Sequence, residues 1–438
     1  SHNLIQEAVY QTILLKQRRA WHLRVAGVIE ALSSDNPSAT DSVLAHHFIE
    51  ADAPSRALPY LLRAAGGALR LYATAEALTL YERATPIALS MAGNHDQIIA
   101  IFTHRGRALE LASRFAEAKT LYETFGQLAQ SRNDAHMELE ALIAQGKLYG
   151  NVTPFFDPAR GRELMERARN LAEAAGNRVA EVRILWNLVN ADRFDLNSLE
   201  TAVVNGEKGI ALARQLELRE ELAYLLNDVG EIYGTLGRFD KSMIYLDEAQ
   251  ERWRQLGNDP MLADNLTSSA VWQHIVGRLH VSLNNTEEAV RLTTRIGNLW
   301  GEAYSLSVRG EILGWLGEFG RAIEDMVTGH EKTRDAGFIA GQLLSACFLS
   351  RVLQELGQTD EARRWAQDAL TLGREQLPQF VGLTIGRLAS VLLAQGEVDA
   401  AAALLADPQA LEEQQQVFVW YDIGRVQIEL ALARAAWL

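Results

Sequence analysis

Leu236-Gly237-Arg238-Phe239-Asp240 is one copy of a turn that recurs along the C-terminal half of the chain. Its glycine returns after steps of 40, 40, 40 and 39 residues, at Gly237, Gly277, Gly317, Gly357 and Gly396. An apolar residue precedes the glycine in four of these five cases. Because glycine readily adopts the left-handed conformation that ends a helix, the pattern predicts helix-ending turns at a fixed period.

Small residues accompany each turn at matched positions. Seven residues before the glycine stand Gly230, Ala270, Gly310, Ser350 and Ala389, and five residues after it stand Ser242, Ser282, Ala322, Ala362 and Ala401. Small side chains on two successive helices let the helices pack closely. A second set of helix breakers also steps by 40 residues, at Gly257, Gly297, Gly337 and Leu377-Pro378. The repeating unit is therefore predicted to be a two-helix hairpin that stacks on its neighbours.

This order of small residue, glycine turn, aromatic residue and small residue resembles the tetratricopeptide repeat. The usual repeat has about 34 residues, and a period of 40 approaches the range of HEAT and armadillo repeats. We favour a long tetratricopeptide form, because the small positions fit that motif and no proline-marked helix kink appears. The predicted fold is all-α, a right-handed superhelix (solenoid) of about ten hairpins over residues 36–438. Such an array offers a long surface to a partner instead of enclosing a catalytic cleft.

The first 90 residues carry a second resemblance. The run from His2 to Tyr10, followed by Trp21-His22, is similar to the segment that joins the ATPase module to the helical repeats in bacterial signal-transduction ATPases with numerous domains, the STAND class. The stretches Ala45-His46-His47 and Tyr81-Glu82-Arg83-Ala84 resemble the opening repeats of the same family. The most similar members carry a class III adenylate or guanylate cyclase, an AAA-like ATPase and tetratricopeptide repeats. The array also resembles the inducer-sensing part of the maltose-regulon activator.

The resemblance implies a sensor and partner-binding arm that regulates an upstream nucleotide cyclase. Residues 1–35 would join the array to an upstream ATPase module, and the chain would be the C-terminal part of a longer protein. Two alternatives stay open, namely a passive scaffold for protein–protein interaction and the inducer-sensing arm of a transcription activator. No phosphate-binding Gly-Lys-Ser/Thr loop and no cyclase module occur in the sequence. We therefore expect no enzymatic activity and no cofactor in these residues.

Composition and charge narrow the class of partner. The formal net charge of −14 argues against a nucleic-acid surface, which relies on clustered Lys and Arg. The chain is 48% hydrophobic, which is enough for a continuous core, but no apolar run reaches the roughly 18 residues of a membrane helix. The expected location is the cytoplasm, with no membrane partner.

The pair His46-His47 invites a metal hypothesis. Adjacent residues on a helix point about 100° apart, and no His or Glu at four-residue spacing supports the pair. Zinc sites place two ligands on one face with further ligands nearby. We therefore interpret the two residues as a packed or surface histidine pair and predict no metal site.

An effector is predicted to bind the concave groove, which the first helix of each hairpin lines in tetratricopeptide arrays. Polar residues that stand ten, six or three positions before the turn glycines are the candidate contacts for a peptide, a protein or a small molecule. They are Asn227, Glu231, Thr267, His274, Ser307, Glu311, Arg351 and Gln354. Trp272, Trp300 and Trp315 lie within the same repeats and either fill the core or form an aromatic wall.

Overall fold

The structure is a computed structural model that describes residues 10–32, 40–70, 73–112, 114–151, 153–193, 197–335 and 337–406, apart from the side chain of Gln379. Regular structure in these ranges is helical throughout, with no strand, and this confirms the all-α prediction. The chain divides into two compact units, Ser1–Ala144 and Gln145–Leu438.

Unit 1 contains seven described helices, the last of which crosses the division between the units. They are α1 Leu15–Leu32, α2 Asp41–Glu50, α3 Pro54–Arg70, α4 Thr74–Ser90, α5 His95–Leu111, α6 Phe115–Arg132 and α7 Ala135–Gly150. Phe48 on α2 is fully buried and packs among Ala26 of α1, Leu44 and Ala57. This small cluster joins the first three helices.

Unit 2 contains a regular series of hairpins. Its helices are α8 Pro158–Ala175, α9 Arg178–Asp192, α10 Leu199–Gln215, α11 Arg219–Thr235, α12 Phe239–Leu256, α13 Asp259–Ile275, α14 Leu279–Ile296, α15 Leu299–Trp315, α16 Phe319–Asp335, α17 Ile339–Glu355, α18 Thr359–Gln376, α19 Val381–Ala394 and α20 Val398–Leu405, with a short 3-10 turn at Pro378–Phe380. We name α9, α11, α13, α15, α17 and α19 the A helices, since each is the first helix of a hairpin.

The predicted glycine turns are present. All five turn glycines have positive φ, as do the breakers at Gly257, Gly297 and Gly337. At Gly237 the turn closes with two backbone hydrogen bonds, from Gly237 N to Gly234 O (2.9 Å) and from Arg238 N to Tyr233 O (2.8 Å). These bonds satisfy carbonyls that the helix end would leave without partners.

An asparagine caps the start of several A helices and directly follows the glycine between two hairpins. Asn258 Oδ1 accepts a hydrogen bond from Met261 N (3.2 Å), and Asn298 Oδ1 accepts one from Gly301 N (3.0 Å). A side-chain cap of this kind contributes about 1 kcal/mol to helix stability. The dipeptide Gly-Asn therefore ends one hairpin and starts the next.

The small residues allow the two helices of a hairpin to touch. A Cβ placed on Gly230 would lie 2.9 Å from Leu246 Cγ, and one on Gly310 would lie 2.7 Å from Met326 Cγ. Both distances are shorter than side chains tolerate, so only glycine fits at these two positions. The matching small residues on the second helices, such as Ser242 and Ala322, are fully buried.

Several sequence predictions concern residues outside the described ranges. The run from His2 to Val9 and all residues after 406 fall there. The assignment of residues 1–35 as a joining segment stays a prediction. Within the described residues, no helix is both long enough and apolar enough to cross a membrane.

Candidate ligand-binding site

Four positions on each of the A helices α11, α13, α15 and α17 form one stripe. They stand 13, 9, 6 and 2 residues before the turn glycine, a spacing that places them on one side of an α-helix. We name the combined stripes the A-helix face. Its members are Tyr224, Asp228, Glu231 and Thr235 on α11; Asp264, Ser268, Val271 and Ile275 on α13; Tyr304, Val308, Glu311 and Trp315 on α15; and Leu344, Phe348, Arg351 and Glu355 on α17.

A charged cluster joins the end of α9 to the α11 and α13 part of this face. Asp228 accepts hydrogen bonds from Trp186 Nε1 (2.6 Å) and Asn190 Nδ2 (3.2 Å). The Arg193 guanidinium contacts Asp228 at 3.4 Å and forms a closer ion pair with Glu231. The Arg193 and Glu231 side chains keep 20% and 19% exposure, so solvent reaches a pair that protein otherwise surrounds. We name Arg193, Asp228, Glu231 and Asp264 the Arg193 cluster.

Asp264 adds a third carboxyl to the Arg193 cluster. Burial, together with the charges of Glu231 and Asp228, raises its pKa to about 7 against the opposing charge of Arg193. Burial also raises the pKa of the Tyr304 phenol, which therefore stays a neutral hydroxyl. Burial alone would lower the pKa of Arg193, but Glu231 and Asp228 outweigh it and keep the guanidinium charged. One fixed cation thus faces three carboxyls; Asp264 titrates near neutral pH, and burial raises the pKa of Glu231 as well.

A second cluster lies on α15 and α17. Arg351 contacts Glu311 at 3.0 Å and Glu355 at 2.6 Å, and its guanidinium carbon lies 5.1 Å from the centre of a Trp315 ring. Trp315 Nε1 donates to Glu311 Oε1 (3.0 Å). His274 on α13 completes the group, with its ring 5.5 Å from Trp315. Burial lowers the pKa of His274, so that the imidazole is neutral at pH 7. We name these five residues the Trp315 cluster.

Trp315 gives the second cluster an open aromatic surface. Its side chain is 54% exposed and Trp300 is 43% exposed, so neither fills the core. Trp272 differs, because it packs on α11 at Gly234, where a Cβ would lie 2.4 Å from its ring. An exposed tryptophan beside an arginine and two carboxylates can stack on an apolar group and pair with charged ones.

Three of the eight sequence candidates lie on the A-helix face. Glu231, Glu311 and Arg351 all stand six positions before a turn glycine, and all three form ion pairs there. Their role as contacts for a ligand or partner stays a prediction.

We expected the side chains ten residues before the turn glycines to be exposed in the groove, and this was wrong. Asn227, Thr267 and Ser307 are at most 3% exposed. Thr267 Oγ1 lies 2.8 Å from Ser305 Oγ, and Asn227 Oδ1 accepts from Asn265 Nδ2 (2.9 Å). Asn227 and Thr267 thus join neighbouring A helices, whereas Ser307 Oγ donates to Ala303 O in its own helix (2.9 Å). A shift of one position from the stripe turns a side chain by about 100° into the helix interface.

The position three residues before the turn lies at the edge of the face. His274 belongs to the Trp315 cluster, as described above. Gln354 Oε1 accepts a hydrogen bond from Arg387 on α19, and Gln354 Nε2 lies 3.4 Å from Ser390 Oγ. Both side chains thus contact the next A helix while remaining partly exposed.

Sequence reasoning missed most of the Arg193 cluster. Asp228 and Asp264 stand nine and 13 residues before their turn glycines, positions that were not considered. Helical spacing could have located both aspartates, since residues three and seven positions before a groove residue share its side of the helix. Arg193 follows the end of α9, where the turn lacks the glycine that set the register.

The comparisons with known proteins agree with the hairpin fold. Two family profiles described as tetratricopeptide repeat match residues 223–252 and 343–377, both within unit 2. A search of curated proteins finds no match. Among solved structures, a Rap protein complexed with competence and sporulation factor is 12% identical, with a TM-score of 0.58 over 86% of this chain and 99% of that one.

Two other solved structures are similar. The Rap conjugation gene regulator of plasmid pLS20, in complex with the Phr* peptide, is 12% identical with a TM-score of 0.51, over 85% of this chain and 96% of that one. A STAND protein with a tetratricopeptide repeat sensor from Pyrococcus horikoshii is 13% identical with a TM-score of 0.47, over 98% of this chain and 56% of that one. At these identities the likeness concerns the fold alone.

Proposed function

We propose that the chain is a non-catalytic sensor arm whose A-helix face binds a charged peptide. The observation that carries this proposal is the pair of largely enclosed ion clusters, one around Arg193 and one around Trp315. Desolvation offsets much of the attraction within an enclosed ion pair, so clusters enclosed to this degree suit recognition better than scaffolding.

The composition of the two clusters favours a peptide over a small molecule. The Arg193 cluster has an excess of carboxyls and would accept a cationic side chain or an amino terminus. The Trp315 cluster offers an aromatic ring and a guanidinium to apolar and acidic groups. The apolar residues Val271 and Val308 belong to the same face between the clusters. The conjugation regulator with a similar fold binds the Phr* peptide, which supports this choice of ligand class.

Regulation of an upstream cyclase through a STAND ATPase is the finer form of the proposal. A bound peptide would favour one arrangement of the stacked hairpins, and residues 1–35 would pass that bias to the ATPase module. A ligand shifts such an equilibrium only by its difference in affinity for the two states, with coupling of about 1–3 kcal/mol. The passive scaffold and the inducer-sensing arm of a transcription activator are the competing functions.

Peptide binding can be tested with a library of defined 5- to 8-residue peptides that vary in charge. We expect basic–apolar sequences to quench the exposed Trp315 and to raise the melting temperature of unit 2. Trp315→Ala and Asp264→Asn should each weaken the best peptide about tenfold or more, because each removes a contact from one of the two clusters.

The matched control is Arg364→Gln on α18, an exposed arginine outside the A-helix face. It should bind the peptide as the unchanged chain does. Equal binding by all three variants, or no binding by any peptide in the library, would contradict the proposal. Hydrogen exchange then separates sensor from scaffold, since a sensor changes protection in helices that do not contact the peptide.

A further inference from the structure

Three histidine rings meet in unit 1, where the sequence suggested only an adjacent pair. His46 and His47 stand on α2, and His22 reaches them from α1. The ring centres lie 5.8 Å (His22–His46), 5.0 Å (His22–His47) and 5.4 Å (His46–His47) apart. One nitrogen from each ring falls within 4.8 Å of the other two. Two helices therefore bring three imidazole ligands to one point.

This geometry is close to that of a three-histidine metal site. With Zn–N bonds of about 2.0–2.1 Å and tetrahedral angles, ligating nitrogens lie about 3.3 Å apart and ring centres about 5 Å apart. The observed ring centres differ from that value by less than about 1 Å. The two Nδ1 atoms of His22 and His47 lie 2.7 Å apart, so a bound ion needs them to separate by only about 0.6 Å.

Tyr10 supports His22 from the side away from the other two rings. Its hydroxyl lies 2.7 Å from His22 Nε2, while His22 Nδ1 faces His47. When Nε2 donates its proton to the tyrosine oxygen, Nδ1 is left unprotonated and free to bind a cation. Metal-binding histidines usually hold their second nitrogen in this way, which fixes the ring and its tautomer.

The charged groups around the rings also bear on a cation. Glu50 is the nearby carboxylate that favours a positive ion, and Arg18 is the nearby cation that opposes it. His46 is exposed, so an ion can enter from solvent.

We propose that His22, His46 and His47 form a binding site for a zinc-like divalent transition-metal ion. Imidazole nitrogens suit Zn²⁺, Cu²⁺ and Ni²⁺, whereas Mg²⁺ and Ca²⁺ prefer oxygen ligands. Three protein ligands leave the fourth tetrahedral position on Zn²⁺ to water or to another small ligand. The ion would link α1 to α2 at the start of the chain.

The test uses the full chain without a polyhistidine tag, stripped with EDTA and titrated with Zn²⁺ against a chromophoric chelator. We expect one Zn²⁺ per chain, no comparable uptake of Mg²⁺ and an increase in the melting temperature of unit 1. His46→Ala should weaken Zn²⁺ at least tenfold. Because the His46 side chain is exposed, this variant should fold, as its circular dichroism can verify.

Two exposed histidines outside the cluster provide matched controls. His136→Ala in α7 and His280→Ala in α14 should bind Zn²⁺ as the unchanged chain does. The proposal is overturned if the unchanged chain binds no Zn²⁺, or if His46→Ala binds it with unaltered affinity. Either result would leave His22 and His47 as a hydrogen-bonded pair that only joins two helices.

Discussion

Asp264 is the residue at which the electrostatics of the A-helix face are most sensitive to pH. Its pKa rises from the model-peptide value of 3.8 to about 7 in the folded chain. A folded state that holds this proton more tightly than the unfolded state loses stability as pH rises from about 4 to about 7. Above that window the carboxylate is ionised beside Glu231 and Asp228.

Asp264→Asn should therefore stabilise unit 2 at pH 8 by on the order of 1 kcal/mol, because the amide removes a buried, repelled charge. At pH 5 the carboxyl is neutral in the folded chain and ionised mainly in the unfolded chain, so the variant should exceed the unchanged chain by clearly less than at pH 8. Urea unfolding followed by tryptophan fluorescence at both pH values measures the difference. Asp368→Asn on an exposed part of α18 is the control, and it should show no such pH dependence. Equal stabilities of the variant and the unchanged chain at pH 8 would mean that Glu231 and Asp228 do not destabilise an ionised Asp264.

The candidate site was only partly predictable from the sequence, because an error of one residue in the helix register turns a predicted side chain by about 100°. The position of Glu231, Glu311 and Arg351 came directly from the distance to the turn glycines. The Arg193 cluster also needs contacts between α9 and α11, and sequence periodicity alone does not supply contacts across helices. The third histidine was missed for the same reason, since His22 and His47 are 25 residues apart in the sequence and meet only in the folded unit.

At the scale of elements, the hairpin could be predicted well because each signal acts locally. A turn that needs positive φ selects glycine wherever it occurs, and Gly317 has a φ of +79°. A Cβ on Gly317 would meet nothing within 4 Å, so only the backbone conformation opposes a larger residue there. The division into two units left no such local signal in the sequence.

Gly317→Ala should destabilise unit 2 by about 1–2 kcal/mol, the cost of a left-handed conformation for an L-residue with a side chain. Gly320→Ala is a close control, since Gly320 also has open space around a Cβ but lies inside α16. It should be neutral or stabilising by up to about 0.5 kcal/mol, because alanine favours a helix. The urea midpoints of both variants measure these changes in stability. An unchanged midpoint for Gly317→Ala would contradict the role assigned to the turn.

At the scale of the whole molecule, the two compact units predict unfolding in more than one step. Eight of the nine tryptophans belong to unit 2, and Trp21 is the one in unit 1. Tryptophan fluorescence therefore reports almost entirely on unit 2, while far-ultraviolet circular dichroism reports on all helices. We expect the two transitions to differ in urea midpoint, as they do when cooperative units unfold separately. Gly317→Ala should shift the fluorescence transition and leave the part of the dichroism change that comes from unit 1 in place. Coincident curves would mean that both units unfold together.

The polar contacts between neighbouring A helices have a consequence for how this chain could grow or be redesigned. Asn227 pairs with Asn265 and Thr267 with Ser305, which are chemically similar partners, whereas Glu311 pairs with the oppositely charged Arg351. A duplicated hairpin that carried Glu311 or Arg351 would place two glutamates or two arginines next to each other. The hairpins have equivalent turn glycines, but the Glu311–Arg351 pair makes α15 and α17 unequal neighbours. Gene duplication at this point would therefore need a second mutation to restore an ion pair between the new neighbours.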